Sequence, residues 1–336
     1  MSILLFSQTT STMTAPYNPP LLLRNCNLQT TLASFTPRKI LACLSSRELV
    51  KASKEVILEC KNGVRLLGSY SHNPENSRGT VTLIHGWEGS MESAYILSAG
   101  THLFNKGFNI FRLNLRDHGP SHHLNRELFN STRLDEVVCA IVQIQKQFPS
   151  DHHFLTGFSL GGNFALRIAG KAPVPGLSLT RTAAICPLIN PAAATENIEK
   201  NHAIYHYYFV RKWKKSLTRK LAFFPELNYR KSLLQLTRLS LMHDYFVPRH
   251  TGYATRQEYF GAYRITGSLL GNLTHPVQII AAADDPITTA DELDHLADLP
   301  NLTLEITPFG GHCGFLQDYR LSSWIDGRLE QIFTLR

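Results

Sequence analysis

Strand-like and helix-like segments alternate along most of this chain, and that alternation restricts the fold more than any other feature. Short apolar runs such as TVTLIH, FNIFRLNL and HHFLTGF are each followed by a segment with helical spacing of apolar residues. Such alternation indicates parallel strands joined by helices, because a parallel pair needs a crossover long enough to hold a helix. The sequence therefore predicts an α/β fold with a mostly parallel central sheet flanked by helices.

This alternation is interrupted between Asn190 and Gly271. The interrupting stretch has helical spacing but is rich in aromatic and basic residues, and the strand–helix pattern resumes afterwards. An insertion between two strands is typical of a cap over the edge of the sheet, where such folds bind substrates. We therefore expect a helical cap inserted before the strand that leads to Asp285. The predicted divisions are an irregular N-terminal segment packing on the core at 1–50, a first core part at 51–189, the cap at 190–271 and a second core part at 272–336.

Positive charge is concentrated in one part of the predicted cap. The chain has 336 residues and a formal net charge of +8, and six of the ten residues at 211–220 are Lys or Arg. Such a run is typical of a solvated helix face, and contact with an anionic membrane surface or an acidic ligand is the alternative. No nucleic-acid recognition module accompanies the run, so no nucleic-acid partner is predicted.

Cysteine content and apolar runs bear on the cellular compartment. Six cysteines are scattered without a CxxC pair, which indicates reduced thiols in a cytoplasmic protein rather than a disulfide framework. The N-terminal stretch lacks the basic start and the apolar run of a signal peptide, and no apolar run approaches the ~18 residues of a membrane span. Met1 and Met13 both remain candidates for the first residue.

A serine between glycines, in GFSLG at residues 157–161, is the first candidate for catalysis. The motif directly follows a predicted strand and directly precedes a predicted helix. A nucleophile elbow requires this strand–turn–helix setting, and the N-terminus of the helix favours the negative charge that develops there. A serine hydroxyl also needs a general base, which in turn needs a group to orient it. Ser159 is the predicted nucleophile.

The remaining groups of such a site follow in the required chain order, an acid and then a histidine. The run IIAAADDP ends one predicted strand with Asp284 and Asp285, and LEITPFGGH ends another with His312. The carboxyl ends of parallel strands are where open α/β sheets bind ligands. We predict that His312 is the base and that Asp285 orients it, with Asp284 as the alternative.

Two backbone N–H groups are predicted to bind the oxyanion of the tetrahedral intermediate. One belongs to Leu160, which follows the nucleophile, and the other to Trp87 in the loop HGWEGS after the strand TVTLIH; both positions are those that the nucleophile elbow calls for. Gly86 and Gly89 would let the backbone approach the substrate. This chemistry needs no metal and no organic cofactor, and neither is predicted.

Motifs spread over the chain resemble those of a known family. The motifs NCNLQT, HGWEGS, LNLRDHGPS, GFSLGGN, AADDP and GGHCGF extend over nearly the whole chain. In these motifs the chain resembles the α/β-hydrolase superfamily, and within it the YheT-like branch of bacterial esterase-like proteins and eukaryotic ABHD-type lipases. The resemblance implies the α/β-hydrolase fold and hydrolysis of carboxylic esters, with Ser159, Asp285 and His312 as charge-relay residues.

One loop departs from the pattern of many relatives. The segment LRDHGPSHHLN carries His118, His122 and His123 where those relatives have a glycine-rich turn. A metal site is not predicted here, because no carboxylate or cysteine stands at a metal-site spacing. These histidines are expected either to line the cleft or to form a hydrogen-bonded surface turn.

Together these features predict a serine hydrolase of the carboxylesterase or lipase type that acts through an acyl-enzyme. Its expected partner is a small-molecule ester with an apolar acyl group, because the cap is rich in aromatic residues. Thioester hydrolysis and acyl transfer by the same triad remain alternatives, as does a non-catalytic protein of this fold that binds a lipid or a partner. The sequence does not determine the oligomeric state.

Overall fold

An eight-stranded sheet forms the centre of the fold. The computed structural model describes residues 16–75, 78–201, 203–296 and 299–334. The strands are β1 (Ser53–Glu59), β2 (Arg65–Ser71), β3 (Thr80–Ile84), β4 (Asn109–Leu113), β5 (His153–Phe158), β6 (Arg181–Ile185), β7 (Val277–Ala282) and β8 (Leu302–Thr307). Their order in the sheet is β1-β2-β4-β3-β5-β6-β7-β8. The pairs β1·β2 and β2·β4 are antiparallel and the others are parallel, which confirms the predicted α/β class and mostly parallel sheet.

Helices connect these strands and extend the chain at both ends. They are α1 (Cys26–Ala33), α2 (Thr36–Ser45), α3 (Arg47–Lys51), α4 (Ala94–Asn105), α5 (Leu134–Gln147), α6 (Leu160–Lys171), α7 (Pro191–Asn201), α8 (Ala203–Phe223), α9 (Arg230–Gln235), α10 (Leu239–His250), α11 (Arg256–Gly261), α12 (Gly267–Leu270) and α13 (Trp324–Phe333). None of the helices in the described segments combines the length and the apolar character that crossing a membrane requires.

Helices cover the sheet on both of its faces. On one face α4 and α13 pack against strand residues such as Val81 and Leu83. On the other face α5 and α6 pack against Ile84 and Leu155. Every residue of β3 and β4 is buried, because a parallel strand inside such a sandwich has no solvent-facing side. That burial explains why these strands are continuous apolar runs in the sequence.

The insertion between β6 and β7 consists of helices α7 to α12, and we call it the cap. Most of one apolar cluster belongs to the cap, including Leu217, Tyr229, Met242 and Phe246, and the core residues Leu128 and Ile287 join it. The cap therefore does not depend on the sheet alone for its hydrophobic stabilisation.

A buried ion pair also fastens the cap to the core. The ammonium of Lys220, in α8, donates to Asp117 Oδ1 at 2.7 Å and is only 1% exposed. It also donates to the backbone carbonyls of His122 and Asn125. The interpretation of residues 211–220 as a solvated face is therefore wrong for Lys220. In a basic run, the sequence does not distinguish a lysine whose ammonium group anchors a buried loop from one whose ammonium group points into water.

The N-terminal part differs from the irregular segment that the sequence suggested. Residues 1–15 lie outside the described residues, but a 3₁₀ turn at Leu21–Arg24 and helices α1 to α3 occupy most of the stretch up to Lys51. The side chain of Asn25 caps α1 by accepting from Leu28 N, and a proline stands in the first turn of α2. The prediction of an irregular segment is wrong here, because proline at the start of a helix favours the helix rather than breaking it.

Candidate active site

Ser159 lies at a sharp turn between β5 and α6. Its backbone has φ 55° and ψ −116°, a conformation that residues with a side chain rarely adopt. The turn is secured on both sides, since Ser159 N donates to Ile185 O at 2.9 Å and Ser159 O accepts from Asn163 N at 3.0 Å. Backbone strain of this kind persists only where the surrounding structure enforces it, and it is characteristic of functional sites.

The glycines on either side of the serine are required by close backbone contacts. A Cβ added to Gly157 would lie 2.0 Å from Gly161 O, and one added to Gly161 would lie 2.3 Å from Ile84 O. Both distances are far inside van der Waals contact. The pattern GFSLG thus reflects the tight passage of β5 and α6 past β3.

His312 lies in the loop after β8 and reaches the serine. Its Nε2 is 2.8 Å from Ser159 Oγ. A residue distant in sequence holds this loop in position, because His312 N donates to Thr30 Oγ1 in α1 at 2.9 Å. Thr30 was not among the residues predicted from the sequence, although the motif NCNLQT that contains it could have indicated a role for this segment.

Asp285, and not Asp284, contacts the histidine. His312 Nδ1 is 2.8 Å from Asp285 Oδ2 and 3.1 Å from Oδ1. The same carboxylate accepts from the backbone N–H groups of Ile287 and Thr288, at 2.8 and 3.0 Å. Asp284 instead accepts from Gly311 N at 2.9 Å, so it secures the loop that carries His312.

Charge and burial together set the protonation of this pair. Burial lowers the pKa of His312, but the adjacent carboxylate of Asp285, with a contribution from Cys313, outweighs it and raises the pKa above its ordinary value. For Asp285, burial raises the pKa, and the charge and hydrogen bond of His312 outweigh that effect, so its pKa lies below the ordinary value. Asp285 is therefore ionised at neutral pH and stabilises a cationic imidazole.

The two predicted oxyanion donors lie in the turn after β3 and at the start of α6. Gly89 N donates to Gly86 O at 3.0 Å, which closes a tight turn around Trp87 and Glu88. Leu160 is the first residue of α6, and the first N–H groups of a helix have no acceptor within the helix. Both groups thus belong to segments next to Ser159, and their role in binding an oxyanion stays a prediction.

Comparison with known proteins assigns the chain to a family. Residues 79–319, which make up most of the chain, match the family described as alpha/beta hydrolase fold. The chain belongs to the α/β hydrolase fold family.

Named relatives of this α/β hydrolase are distant in sequence. Phospholipase ABHD3 of Bos taurus is 23% identical over 301 residues, which cover 86% of this chain and 72% of that protein. Phospholipase ABHD3 of Homo sapiens is 23% identical over 267 residues, covering 76% of this chain and 64% of that protein. The chain thus spans about two thirds of the length of these relatives. The esterase Pf2001 of Pyrococcus furiosus has a similar fold, with a TM-score of 0.58, 17% identity, and coverage of 83% of this chain and 89% of that one.

An aromatic cluster in this α/β hydrolase joins the turn after β3 to the cap. The Trp87 ring stacks on Phe209 at 5.3 Å between centroids and meets the edge of Trp213 at 5.3 Å. His243 lies beside both tryptophans, and burial lowers its pKa to about 4. This histidine is neutral at physiological pH, so the cluster presents an essentially uncharged wall beside the turn after β3.

A cavity of about 320 Å³ borders the loop of Asp285. It is lined on the core side by Ile189, Ile287 and Thr288, and on the cap side by residues of α7 such as Asn197. Asn197 Nδ2 donates to Pro286 O at 2.8 Å, which ties α7 to the same loop. The cavity is thus a space between cap and core. Its lining includes the charged residues Glu196, Lys200 and Glu292, and the side chains of the candidate triad do not line it.

Two thiols also approach the candidate base. Within the described part of the chain, Cys186, His312 and Cys313 form a group whose potential metal-ligating atoms lie within 4.8 Å of one another. Both ring nitrogens of His312 already face Ser159 and Asp285. A metal ion bound to this imidazole would break the hydrogen-bonded chain, so the group does not suit a metal that assists the reaction.

The histidines of the unusual loop make hydrogen bonds within the loop and to the cap. His118 and His122 are buried and His123 is exposed. Burial lowers the pKa of His118 to about 4 and that of His122 to about 3. Among the described residues they join no group of metal-ligating side chains. A ring nitrogen of His118 lies 2.7 Å from Arg116 O, and one of His122 lies 2.9 Å from Ser216 Oγ. A ring nitrogen of His123 lies 3.1 Å from Pro120 O.

Proposed function

We propose that this α/β hydrolase cleaves carboxylic esters through an acyl-enzyme on Ser159. The observation that carries the proposal is the continuous hydrogen-bonded chain from Ser159 Oγ through His312 to Asp285. It begins at a serine in a strained backbone conformation and ends at a carboxylate that is 6% exposed. A serine with a purely structural role needs neither the strain nor a buried acid–base pair.

In the first half of the reaction, Ser159 Oγ attacks the ester carbonyl carbon while His312 Nε2 takes the hydroxyl proton. The ionised Asp285 keeps the other ring nitrogen protonated and stabilises the imidazolium. The carbonyl oxygen becomes an oxyanion, which the N–H groups of Trp87 and Leu160 bind. When the carbon–oxygen bond to the alcohol breaks, His312 gives its proton to the leaving alcohol.

In the second half, water replaces the alcohol. His312 removes a proton from the water as the water oxygen attacks the acyl carbon of the serine ester. The second tetrahedral intermediate collapses, the carboxylic acid leaves, and the proton returns from His312 to Ser159 Oγ. No metal or organic cofactor takes part in either half.

The substrate that we propose is a lipid-like ester with an apolar acyl group. The uncharged aromatic wall at Trp87 supports an apolar acyl site. The relatives named as phospholipases support a lipid substrate. All six cysteines are unpaired, which supports the proposed cytoplasmic location.

An activity-based fluorophosphonate probe tests the nucleophile. Wild-type protein should be labelled, and Ser159→Ala should not be. Ser268→Ala, at an exposed serine in α12, is the matched control and should be labelled like the wild type. Equal labelling of Ser159→Ala and wild type would refute the assignment.

A series of p-nitrophenyl esters from acetate to palmitate tests the substrate class. We expect kcat/KM to rise with acyl length, because a longer acyl chain buries more apolar surface against the aromatic wall at Trp87. Product analysis in the presence of added alcohol separates hydrolysis, which releases free acid, from acyl transfer, which releases a new ester. A folded protein that hydrolyses none of these esters would contradict the proposed function.

A further inference from the structure

Exposed apolar side chains are frequent in the N-terminal helices and at the start of α8. The described residues expose 17 large apolar side chains, and eight of them lie between Leu21 and Val50. Leu21 and Leu22 are 76% and 67% exposed, while Ile204 and Tyr207 at the start of α8 are 79% and 67% exposed. Soluble proteins expose single apolar residues freely, but a contiguous group marks a contact surface.

Two elements far apart in sequence form this group together. Tyr205 Oη donates to Asn27 Oδ1 at 2.9 Å, so the start of α8 lies against α1. We call the resulting group the apolar rim. Its members are Leu21, Leu22, Leu28, Ile204, Tyr207 and Tyr208.

The apolar rim adjoins the candidate active site. Helix α1 carries Thr30, which accepts from His312 N at 2.9 Å. A Cβ on Gly311 would lie 2.5 Å from Cys26 O, so the loop of His312 packs directly on the helix. The guanidinium of Arg24 lies 5.3 Å from the ring centre of Phe309 in the same loop. Helix α1, which carries Leu28 of the rim, therefore packs directly on the loop of the candidate base.

The exposed stripe of α8 changes character along the helix. Ile204, Tyr207 and Tyr208 stand at its start, and Arg211 and Lys215 follow on the same exposed side. The spacing of three, four, seven and eleven residues from Ile204 keeps them on one face. Ile204 and Arg211 are about 10 Å apart along the axis. Along the stripe, an aliphatic residue is followed by tyrosines and then by basic residues. A lipid interface favours this order, from the acyl region outward to the headgroups.

The charge around the apolar rim is positive. Residues 16–52 contain five basic residues and the single acid Glu48, and α8 contains no acidic residue. A second protein surface of similar apolar character would not require this excess, whereas anionic phospholipid headgroups would complement it.

We propose that the apolar rim docks this protein on an anionic phospholipid surface. Leu21, Leu22 and Ile204 would enter the acyl boundary, and Arg211 and Lys215 would contact the headgroups. Docking in this orientation brings the loop of His312, which packs on α1, close to the lipid. The inference deepens the proposed function by naming a membrane interface as the source of the substrate, and its test separates the two.

Vesicle binding by the full chain tests the docking surface. Wild-type protein should bind phosphatidylcholine vesicles more tightly when they contain phosphatidylglycerol, and added salt should reduce the difference. The double variants Leu21→Ser/Leu22→Ser and Ile204→Ser/Tyr207→Ser should each lose about tenfold or more in vesicle affinity. Arg211→Glu should lose the preference for phosphatidylglycerol.

The control variant is Ile57→Ser. Ile57 is 45% exposed and lies on β1, the edge strand opposite β8. It should bind vesicles within about twofold of the wild type, as expected for a surface substitution outside the contact. Circular dichroism and thermal melting confirm that each variant is folded.

Activity on two kinds of substrate completes the test. The rim variants should hydrolyse a soluble short-chain ester like the wild type but lose activity on an ester embedded in vesicles. Unchanged vesicle affinity in both rim variants would overturn the proposal. So would a wild-type dimer that becomes monomeric in the rim variants and does not bind vesicles, since a second copy would then cover the rim. Rim-dependent vesicle binding without hydrolysis of any ester would refute the proposed function and leave the docking surface standing.

Discussion

Asp285 holds the imidazole of His312 with both carboxylate oxygens, at 2.8 and 3.1 Å from Nδ1. Three further donors, the N–H groups of Ile287 and Thr288 and the Thr288 hydroxyl, hold that carboxylate in place. A carboxylate restrained in this way selects the tautomer in which Nε2 is free to accept the proton of Ser159.

This geometry predicts unequal effects for the two adjacent aspartates. Asp285→Asn should lower kcat by on the order of 10⁴-fold, because the amide cannot stabilise the imidazolium and favours the wrong tautomer. Asp284→Asn should lose much less, since an amide oxygen can still accept from Gly311 N. Steady-state kinetics on a p-nitrophenyl ester measure both variants. A larger loss in Asp284→Asn would mean that the orienting carboxylate has been misassigned.

The pH dependence of kcat/KM should report the raised pKa of His312. The imidazole must be neutral to accept a proton, and its pKa lies above the ordinary value. Activity should therefore rise with pH, and the midpoint of the rise should lie above about 6.5. Asp285→Asn should move that midpoint down, because the charge that raises the pKa is gone. Asp151→Asn, at an exposed carboxylate, should not move it; a wild-type midpoint below 6.5 would contradict the prediction.

Glu88 should limit activity at alkaline pH. Burial raises the pKa of Glu88 to about 8, with Lys212 opposing and Asp117 adding to the shift. The side chain is therefore mostly neutral at pH 7 and becomes anionic above about pH 8. A negative charge next to Trp87 would repel an oxyanion bound at its N–H group. Above pH 8 the charge on Glu88 should damp the rise in kcat/KM that follows deprotonation of His312, and Glu88→Gln should exceed the wild type there. Identical alkaline limbs in the two proteins would exclude this role.

The buried ion pair between cap and core should matter for stability. Lys220→Met leaves the Asp117 carboxylate buried without its partner, which should cost about 3–5 kcal/mol in the free energy of unfolding. Replacing both residues, as Asp117→Asn/Lys220→Met, should recover part of that loss. Urea unfolding measures the effect, with exposed Lys215→Met as the control. A Lys220→Met protein as stable as the control would show that the pair contributes little.

Gly161 should not tolerate a side chain. A Cβ at this position would lie 2.3 Å from Ile84 O and 2.6 Å from His85 O, so β3 and α6 would have to separate. We expect Gly161→Ala to lower the melting temperature and to abolish labelling by the fluorophosphonate probe. Gly327→Ala, at a glycine in α13 with open space around it, is the control and should behave like the wild type.

Much of the sheet and the positions of the candidate triad could be predicted from sequence. The helices on both faces leave strands such as β3 no solvent-facing side, so they are continuous apolar runs. The turn around Ser159 requires glycine at fixed offsets, because its backbone contacts are local to β5 and α6. Local rules of this kind are visible in a single segment, and they placed Ser159, Asp285 and His312 after strands that the structure brings together.

Other features depend on contacts between segments that are distant along the chain. The sequence favoured Asp285 over Asp284, but only the tertiary structure shows which carboxylate reaches His312, since both follow the same strand. The tertiary structure also assigns Lys220 to a buried ion pair, although Arg211, Lys215 and Arg219 in the same basic run are exposed.

The apolar rim also depends on contacts between segments that are distant along the chain. Leucines at the N-terminus and the start of α8 each resemble ordinary core or surface residues when taken alone, and they become one surface only because Tyr205 meets Asn27. The sequence by itself determined the alternating strands and helices of the core and the order of the reactive groups, because those depend on local backbone and periodicity; it did not reveal helices α1 to α3. The tertiary structure alone decided which side chains are buried, which are paired and which are exposed. Burial is a property of the packed chain and not of a single segment.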